Sequence, residues 1–149
     1  MSGKSATAAD PGTTHRFRLA IDGTDLGVFT RCTGLACTVE VEEYTEGGRN
    51  DSAWYLPRRI TYPPLVLSRP VTAEAEKTSQ WVLDAVNDTR RRTGQIASLS
   101  ATGSVLAKWD LLNVVPVAWS GPNFDTASPG AAMEVLEIVH HGFFRAGTT

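Results

Sequence analysis

The chain has 149 residues, near the usual size of one domain, and its 42% hydrophobic and 20% charged residues match an ordinary globular protein rather than a disordered one. A net charge of -2 offers no basic field for gripping a phosphate backbone, which argues against tight binding to the outside of duplex nucleic acid. No apolar run approaches the roughly 20 residues that span a bilayer, and Met1 to Thr14 lack the apolar centre of a secretory signal, so assembly in the bacterial cytoplasm with no membrane anchor is expected.

Residues 1 to 14 are small and polar around Asp10-Pro11-Gly12 and are expected to form a flexible arm before a domain over 15 to 149. From His15 the pattern changes. Phe17, Leu19 and Ile21 alternate with Arg16, Arg18 and Ala20, the period of a half-buried strand; Asp22-Gly23 supplies a hairpin turn, and Leu26 to Cys32 runs back. Gly34 predicts a bulge or bend rather than a helix. Cys37, Val39 and Val41 then alternate with Thr38, Glu40 and Glu42, which predicts a strand with one apolar and one hydrated face.

Between Tyr44 and Tyr55 the periodicity is lost, as in a long exposed loop. Strand character resumes over Leu56 to Arg69 with Leu65 and Leu67 on one face, while Pro57, Pro63 and Pro64 fit strand starts, edges or bulges. One helix is predicted, from an N-cap at Thr72 to about Arg92. Glu74 and Glu76 lie in its first turn, Arg90, Arg91 and Arg92 in its last, and Trp81, Val82, Ala85 and Val86 form its apolar stripe.

Gln95 to Ala101 and Ser104 to Val115 flank a Thr102-Gly103 turn, with Val105, Ala107, Trp109 and Leu111 at period two. Ser120 to Gly130 is irregular, and Met133 to Phe144 reads as a final strand with Leu136 and Ile138 inward. This order fits a mainly β fold, an antiparallel β-barrel or β-sandwich with one α-helix packed on the outside.

The residues that carry chemistry elsewhere have plain structural readings here. Cys32 and Cys37 read as two small buried or half-buried thiols, because a zinc site needs further ligands and His15, His140 and His141 show no ligand spacing. His140-His141 are adjacent on a strand and point to opposite faces, so they do not converge on one ion or substrate atom. Glu40 and Glu42 share a polar face without an apolar pocket to split their acidities, unlike a glycosidase pair. Gly47-Gly48 lacks the Lys-Ser/Thr of a phosphate-binding loop. Trp81 and Trp109 are expected in the core and Trp54 on an exposed loop. No catalytic residue, metal or cofactor is expected.

Several motifs in order suggest a family: Phe17 to Gly23, Phe29 to Leu35, Val39 to Gly48, Leu56-Pro57, Leu65 to Arg69, Trp81, Ala107-Lys108-Trp109 leading to Asn113 and Pro116, Trp119 to Phe124, and Glu134 to Gly142. Over residues 15 to 144 the chain resembles the tail-tube family of contractile phages and phage-derived contractile injection systems. Its arm before His15 is longer than the family's minimal version, and Pro63-Pro64 stands where the family often has residues that donate to a sheet.

The resemblance implies a structural subunit that forms hexameric rings stacked head to tail, with strands of neighbouring copies joined into one barrel around a channel. Its partners would be itself, a contractile sheath protein, baseplate and cap proteins, and a cargo of effector protein or DNA. By carry-over, contacts between subunits or rings fall on Glu43, Tyr44, Glu46, Gly47, Gly48, Arg49, Asn50, Leu56 and Pro57, with Trp54 as an anchor. Thr38, Glu40 and Glu42 would suit a hydrophilic channel wall, and Arg90, Arg91 and Arg92 a sheath contact. Glu43 or Glu46 against Arg58 or Arg59 would set register between copies. Two other readings are a tube-initiating or tube-capping paralogue near the baseplate, and a monomeric β-sandwich module that binds sugar or peptide.

Overall fold

The computed structural model describes residues 15–45, 53–122 and 132–145. The arm expected over 1 to 14, the loop residues Glu46 to Asn50, and residues 123–130 of the irregular stretch, with Asn123 and Phe124 of its motif, lie outside the described residues.

The predicted alternation yields β1 (Arg16–Ile21) and β2 (Thr24–Phe29), joined at Asp22-Gly23 with φ of 50° and 78°, the two positive values that a tight hairpin turn requires. The helix α1 is Glu74–Val86. Its N-cap is Ala73, which has no side-chain oxygen to offer; Thr72, the cap expected from the sequence, stands one residue earlier, and its Oγ1 accepts the Glu74 amide at 3.2 Å. It ends six residues earlier than the arginine run suggests, because Arg92 folds back instead of extending the helix. Arg92 donates to the carbonyls of Ala85 (3.5 Å) and Asp88 (3.3 Å) and lies 3.4 Å from the Asp88 carboxylate. The cation thus reaches the negative end of the helix dipole from outside the helix. The stripe on α1 is Thr78, Trp81, Val82 and Ala85; Val86 is 73% exposed and does not belong to it.

Two sheets enclose the core. One runs in the order β11 (Phe143–Arg145), β8 (Val105–Leu111), β7 (Gly94–Leu99), β1, β2; the other runs β3 (Arg31–Thr33), β6 (Leu65–Pro70), β10 (Met133–Val139), β9 (Val115–Ser120). All pairings are antiparallel. Leu19, Ile21, Leu26, Phe29, Ile96 and Leu111 from the first sheet meet Leu65, Leu67, Leu136 and Ile138 from the second, all fully buried. Each such side chain contributes about 1.5–3 kcal/mol of hydrophobic stabilisation. The sheets remain an open pair and do not close into a barrel, which corrects the barrel alternative.

Three runs that read as single strands are each broken at a corner where the chain changes sheet. Leu26 to Cys32 divides at Thr30, Ser104 to Val115 at Leu112–Val114, and Met133 to Phe144 at His140–Gly142. Such corners let a two-layer sandwich share strands between layers. They are fastened by backbone bonds: Thr30 N–H to Ser68 O (3.0 Å), Leu112 N–H to Gly142 O (2.9 Å) and His141 N–H to Leu112 O (2.8 Å). The bend predicted at Gly34 is real. Its φ is +94°, and a Cβ there would sit 2.0 Å from Pro64 O, so only glycine lets the segment after β3 pass over Pro63-Pro64.

A buried polar network ties the helix to both sheets. Arg69 Nε donates to Glu134 Oε2 (2.8 Å), Arg69 Nη2 to Thr78 Oγ1 (2.8 Å), Arg69 Nη1 to Leu26 O (2.8 Å), and Trp119 Nε1 to Glu134 Oε1 (2.8 Å). The guanidinium also lies 4.2 Å over the Phe29 ring. With its bond to Leu26 O and a longer one to Val28 O (3.4 Å), Arg69 blunts the edge of β2.

Candidate assembly surface

The part of the chain that its own core does not use is a hairpin, β4 (Thr38–Thr45) with β5 (Ala53–Thr61), forming a separate two-stranded sheet. Every residue of β4 is exposed, and so is every residue of β5 from Trp54 to Thr61. The sequence predicted a loop from Thr45 to Trp54; the structure places Thr45 in β4 and Ala53 and Trp54 in β5.

Register decides which side chains share a face. Val39 pairs with Ile60, Val41 with Pro57 and Glu43 with Tyr55; on the other face Thr38 pairs with Thr61, Glu40 with Arg59, Glu42 with Leu56 and Tyr44 with Trp54. A bulge beside Pro57 leaves Arg58 as the extra residue. A proline at this break in the ladder loses little, as its ring nitrogen has no proton to donate.

The first face is an apolar strip of Val39, Val41, Pro57, Ile60 and Tyr55, the last 63% exposed. The apolar side expected for this strand is therefore present, but nothing among the described residues covers it. On the second face, Thr38, Glu40 and Glu42 lie with Arg58 and Arg59 toward the domain end of the hairpin, and Leu56, Tyr44 and Trp54 follow toward its tip. Arg58 donates from Nε and Nη2 to Glu42 Oε2 within the chain. That pairing engages Arg58, which the sequence had offered as a partner for Glu43 or Glu46 of another copy. Glu43 points to the other face from Glu42, and Glu46 lies outside the described residues along with Gly47, Gly48, Arg49 and Asn50.

The residues expected to contact neighbours thus divide between the two faces. Tyr44, Trp54 and Leu56 share a face with the expected channel residues Thr38, Glu40 and Glu42, while Glu43 and Pro57 share the other with the apolar strip. A two-stranded hairpin is marginal in water by itself, and an exposed apolar strip beside unpaired strand edges is a ready template for another chain.

Among the described residues other strand edges are also open. β11 pairs only with Trp109 to Leu111, so Val105 to Lys108 of β8 continue past it as an edge, and β9 closes its sheet with exposed Val115 and Val117. On the helix side, Arg90 and Arg91 are exposed but Arg92 is 8% exposed and spent on the helix end, so a sheath contact there would fall to Arg90 and Arg91. Arg90 pairs with Asp88 at 2.7 Å. The Arg90 backbone amide and side chain hold the Asp88 carboxyl below its usual value.

Cys32 is half-buried and its thiol is pushed up to about 11 by burial, whereas Cys37 is exposed rather than buried or half-buried as expected. His140 is buried and His141 exposed, and both lie at the corner between β10 and β11 rather than in the single strand expected of them. Among the described residues no three His, Cys, Asp or Glu side chains cluster to hold a metal, and no helix is long and apolar enough to cross a membrane.

The Arg69–Glu134 pair is the feature that residue-by-residue reading missed. Its signal was present, because the inward positions Leu65, Leu67 and Glu134, Leu136, Ile138 continue to Arg69 in one strand and begin with Glu134 in the other.

An open antiparallel sandwich whose hairpin and outer strand edges are uncovered among the described residues has the architecture of a structural subunit. The family profile described as T4-like virus tail tube protein gp19 matches residues 13–144, and the chain belongs to that family of tail tube proteins. No curated protein matches it closely enough to count. Among solved structures, it is similar to a chain in the cryo-EM structure of the anti-feeding prophage baseplate, 6-fold symmetrised, with 24% identity, TM-score 0.67, and 99% and 98% of the two chains covered. A chain of the PVC sheath-tube complex in the extended state, an extracellular contractile injection system, is 16% identical with TM-score 0.73 over 96% and 94%. A chain of the anti-feeding prophage tube terminating cap is 18% identical with TM-score 0.69 over 99% and 97%. The family sets aside the monomeric ligand-binding module considered from the sequence.

Proposed function

We propose that this tail tube protein is a non-catalytic subunit of a phage tail or phage-tail-like particle, whose copies join side by side into six-membered rings that stack head to tail around a channel. The observation that carries the reading is the β4–β5 hairpin. Among the described residues its apolar strip and aromatic tip are uncovered and the outer edges of β8 and β9 are unpaired, and another copy supplies both cover and partner strands. A contact that uses two different patches of one molecule propagates as an open stack, as a tube requires.

In this arrangement the Glu40, Glu42, Arg58 and Arg59 section of the hairpin supplies a charge-balanced wall, and the side bearing α1, Arg90 and Arg91 is the one offered to a contractile sheath. The cargo is an effector protein or DNA passing through the bore. Electron microscopy of the purified protein, preceded by size-exclusion chromatography, tests the proposal. Rings or rods of uniform bore are expected; a homogeneous monomer at high concentration removes it.

The similarity to a chain in a tube-terminating cap structure supports a second reading, a capping or initiating paralogue. The same images separate the two, since a paralogue of that kind gives single rings or short stacks that do not lengthen with concentration.

A further inference from the structure

The inward row of β10 begins at Glu134, fully paired, and just past the strand's other end stands His140, only half paired. His140 is 5% exposed and sits at the corner where the chain leaves β10 for β11. Its Nδ1 accepts the Gly142 amide at 3.1 Å, which places the ring proton on Nε2. That Nε2 is buried and has no hydrogen-bond partner among the described residues.

The ring is flanked by Tyr62 from the β5–β6 connection (5.3 Å between centroids) and by Phe143 of β11 (6.1 Å). Among the described residues no carboxylate faces it. The charge that acts on it is that of His141, which follows in the chain and opposes a second positive charge. Around this imidazole the corner is closed by the two bonds that join Gly142 O and His141 N–H to Leu112. Directly after it, Phe143 begins the pairing of β11 with β8.

We propose that the β10–β11 corner is an acid-sensitive latch: neutral His140 holds the Gly142 amide and keeps β11 on β8, and its protonation releases β11 and bares the whole edge of β8. Protonation places a second N–H on Nδ1, facing the Gly142 N–H, and leaves a cation in an apolar cage with no counter-charge. Burial already holds the imidazole below its ordinary pKa of 6.5. The open form, in water, takes up the proton first, so the closed form loses ground as pH falls below about 6.5 and is fully favoured above it. The latch follows from the fold and does not depend on tube formation.

Hydrogen–deuterium exchange read by mass spectrometry, corrected for intrinsic rates and run from pH 7.5 to 5 on the full chain, tests this. Protection of residues 109 to 111 and 143 to 145 should fall by about tenfold for each pH unit over which the closed imidazole resists its proton, while the β1–β7 pairing stays protected. His140→Asn keeps an acceptor for Gly142 N–H but does not titrate, and should flatten the dependence; His141→Asn should leave it in place. Equal loss in His140→Asn and the natural chain, or no loss in either, overturns the latch. Should His140→Asn not fold, the carbon-detected NMR titration of the natural chain's histidines decides: an imidazole at position 140 that titrates at or above 6.5 overturns it, and one held lower supports it.

Discussion

Arg69 and Glu134 face each other in directly paired positions of β6 and β10, bonded at 2.8 Å with 2% and 0% of their side chains exposed. Two opposite charges occupy inward positions that the alternation of each strand reserves for leucine and isoleucine. The desolvation cost is offset because the remaining donors and acceptors are engaged by Thr78, Leu26, Val28 and Trp119. The pair thereby sets where α1 and β9 sit relative to the core.

Removing one partner strands the other. Glu134→Ala should lower stability by about 3–5 kcal/mol in urea denaturation, and Arg69→Leu with Glu134→Leu together should cost clearly less than the two single changes added. A loss below about 1 kcal/mol for Glu134→Ala means that the pair is not a keystone of the fold.

Gly34 and Gly103 separate close approach from backbone conformation. Both have positive φ, +94° and +88°, but a Cβ at Gly103 meets nothing within 4 Å whereas at Gly34 it strikes Pro64 O. Gly103→Ala should therefore cost about 1–2 kcal/mol, the left-handed penalty alone, and Gly34→Ala distinctly more. Thermal melts of the two variants measure the difference; equal shifts contradict the contact.

The hairpin variants bear on assembly. Val41→Glu lies on an exposed strip of the lone chain and should change its unfolding free energy by no more than about 0.5 kcal/mol, yet stop tube growth. Trp54→Ala, at a side chain 62% exposed in the lone chain, should weaken association by about 2 kcal/mol, near 30-fold. Sedimentation velocity reads the second effect and circular dichroism guards the first. Normal tubes from both variants would remove the hairpin from the interface.

Burial pushes the Cys32 thiol from 9.0 to about 11, so the folded chain keeps it protonated while the unfolded chain ionises first. Its contribution to stability is complete below pH 9 and is lost as pH climbs toward about 11. At pH 8, iodoacetamide should alkylate exposed Cys37 at least tenfold faster than Cys32, with the two equalising in urea. Equal rates in the native chain, followed by peptide mass spectrometry, count against the burial of Cys32.

Much of the fold was legible before any coordinates. The period-two runs of β1, β6 and β10, the Asp22-Gly23 and Thr102-Gly103 turns, the Gly34 bend and a helix start close to Thr72 are local matters of side-chain spacing and backbone sterics, and each is present. The site was legible only in part. Val39 and Val41 announce a face that avoids water, and the same pattern would appear whether this chain or another covered it.

By itself, then, the sequence determined the strands, their inward residues, one helix, and through ordered motifs the family. Tertiary structure alone decided where runs such as Leu26 to Cys32 and Met133 to Phe144 break to change sheets, that Arg92 caps α1 from outside, and that β4–β5 forms a sheet of its own. The physical reason is that alternation records which side of a strand leaves water, while the layer it joins and the surface it meets depend on contacts between residues far apart in the chain.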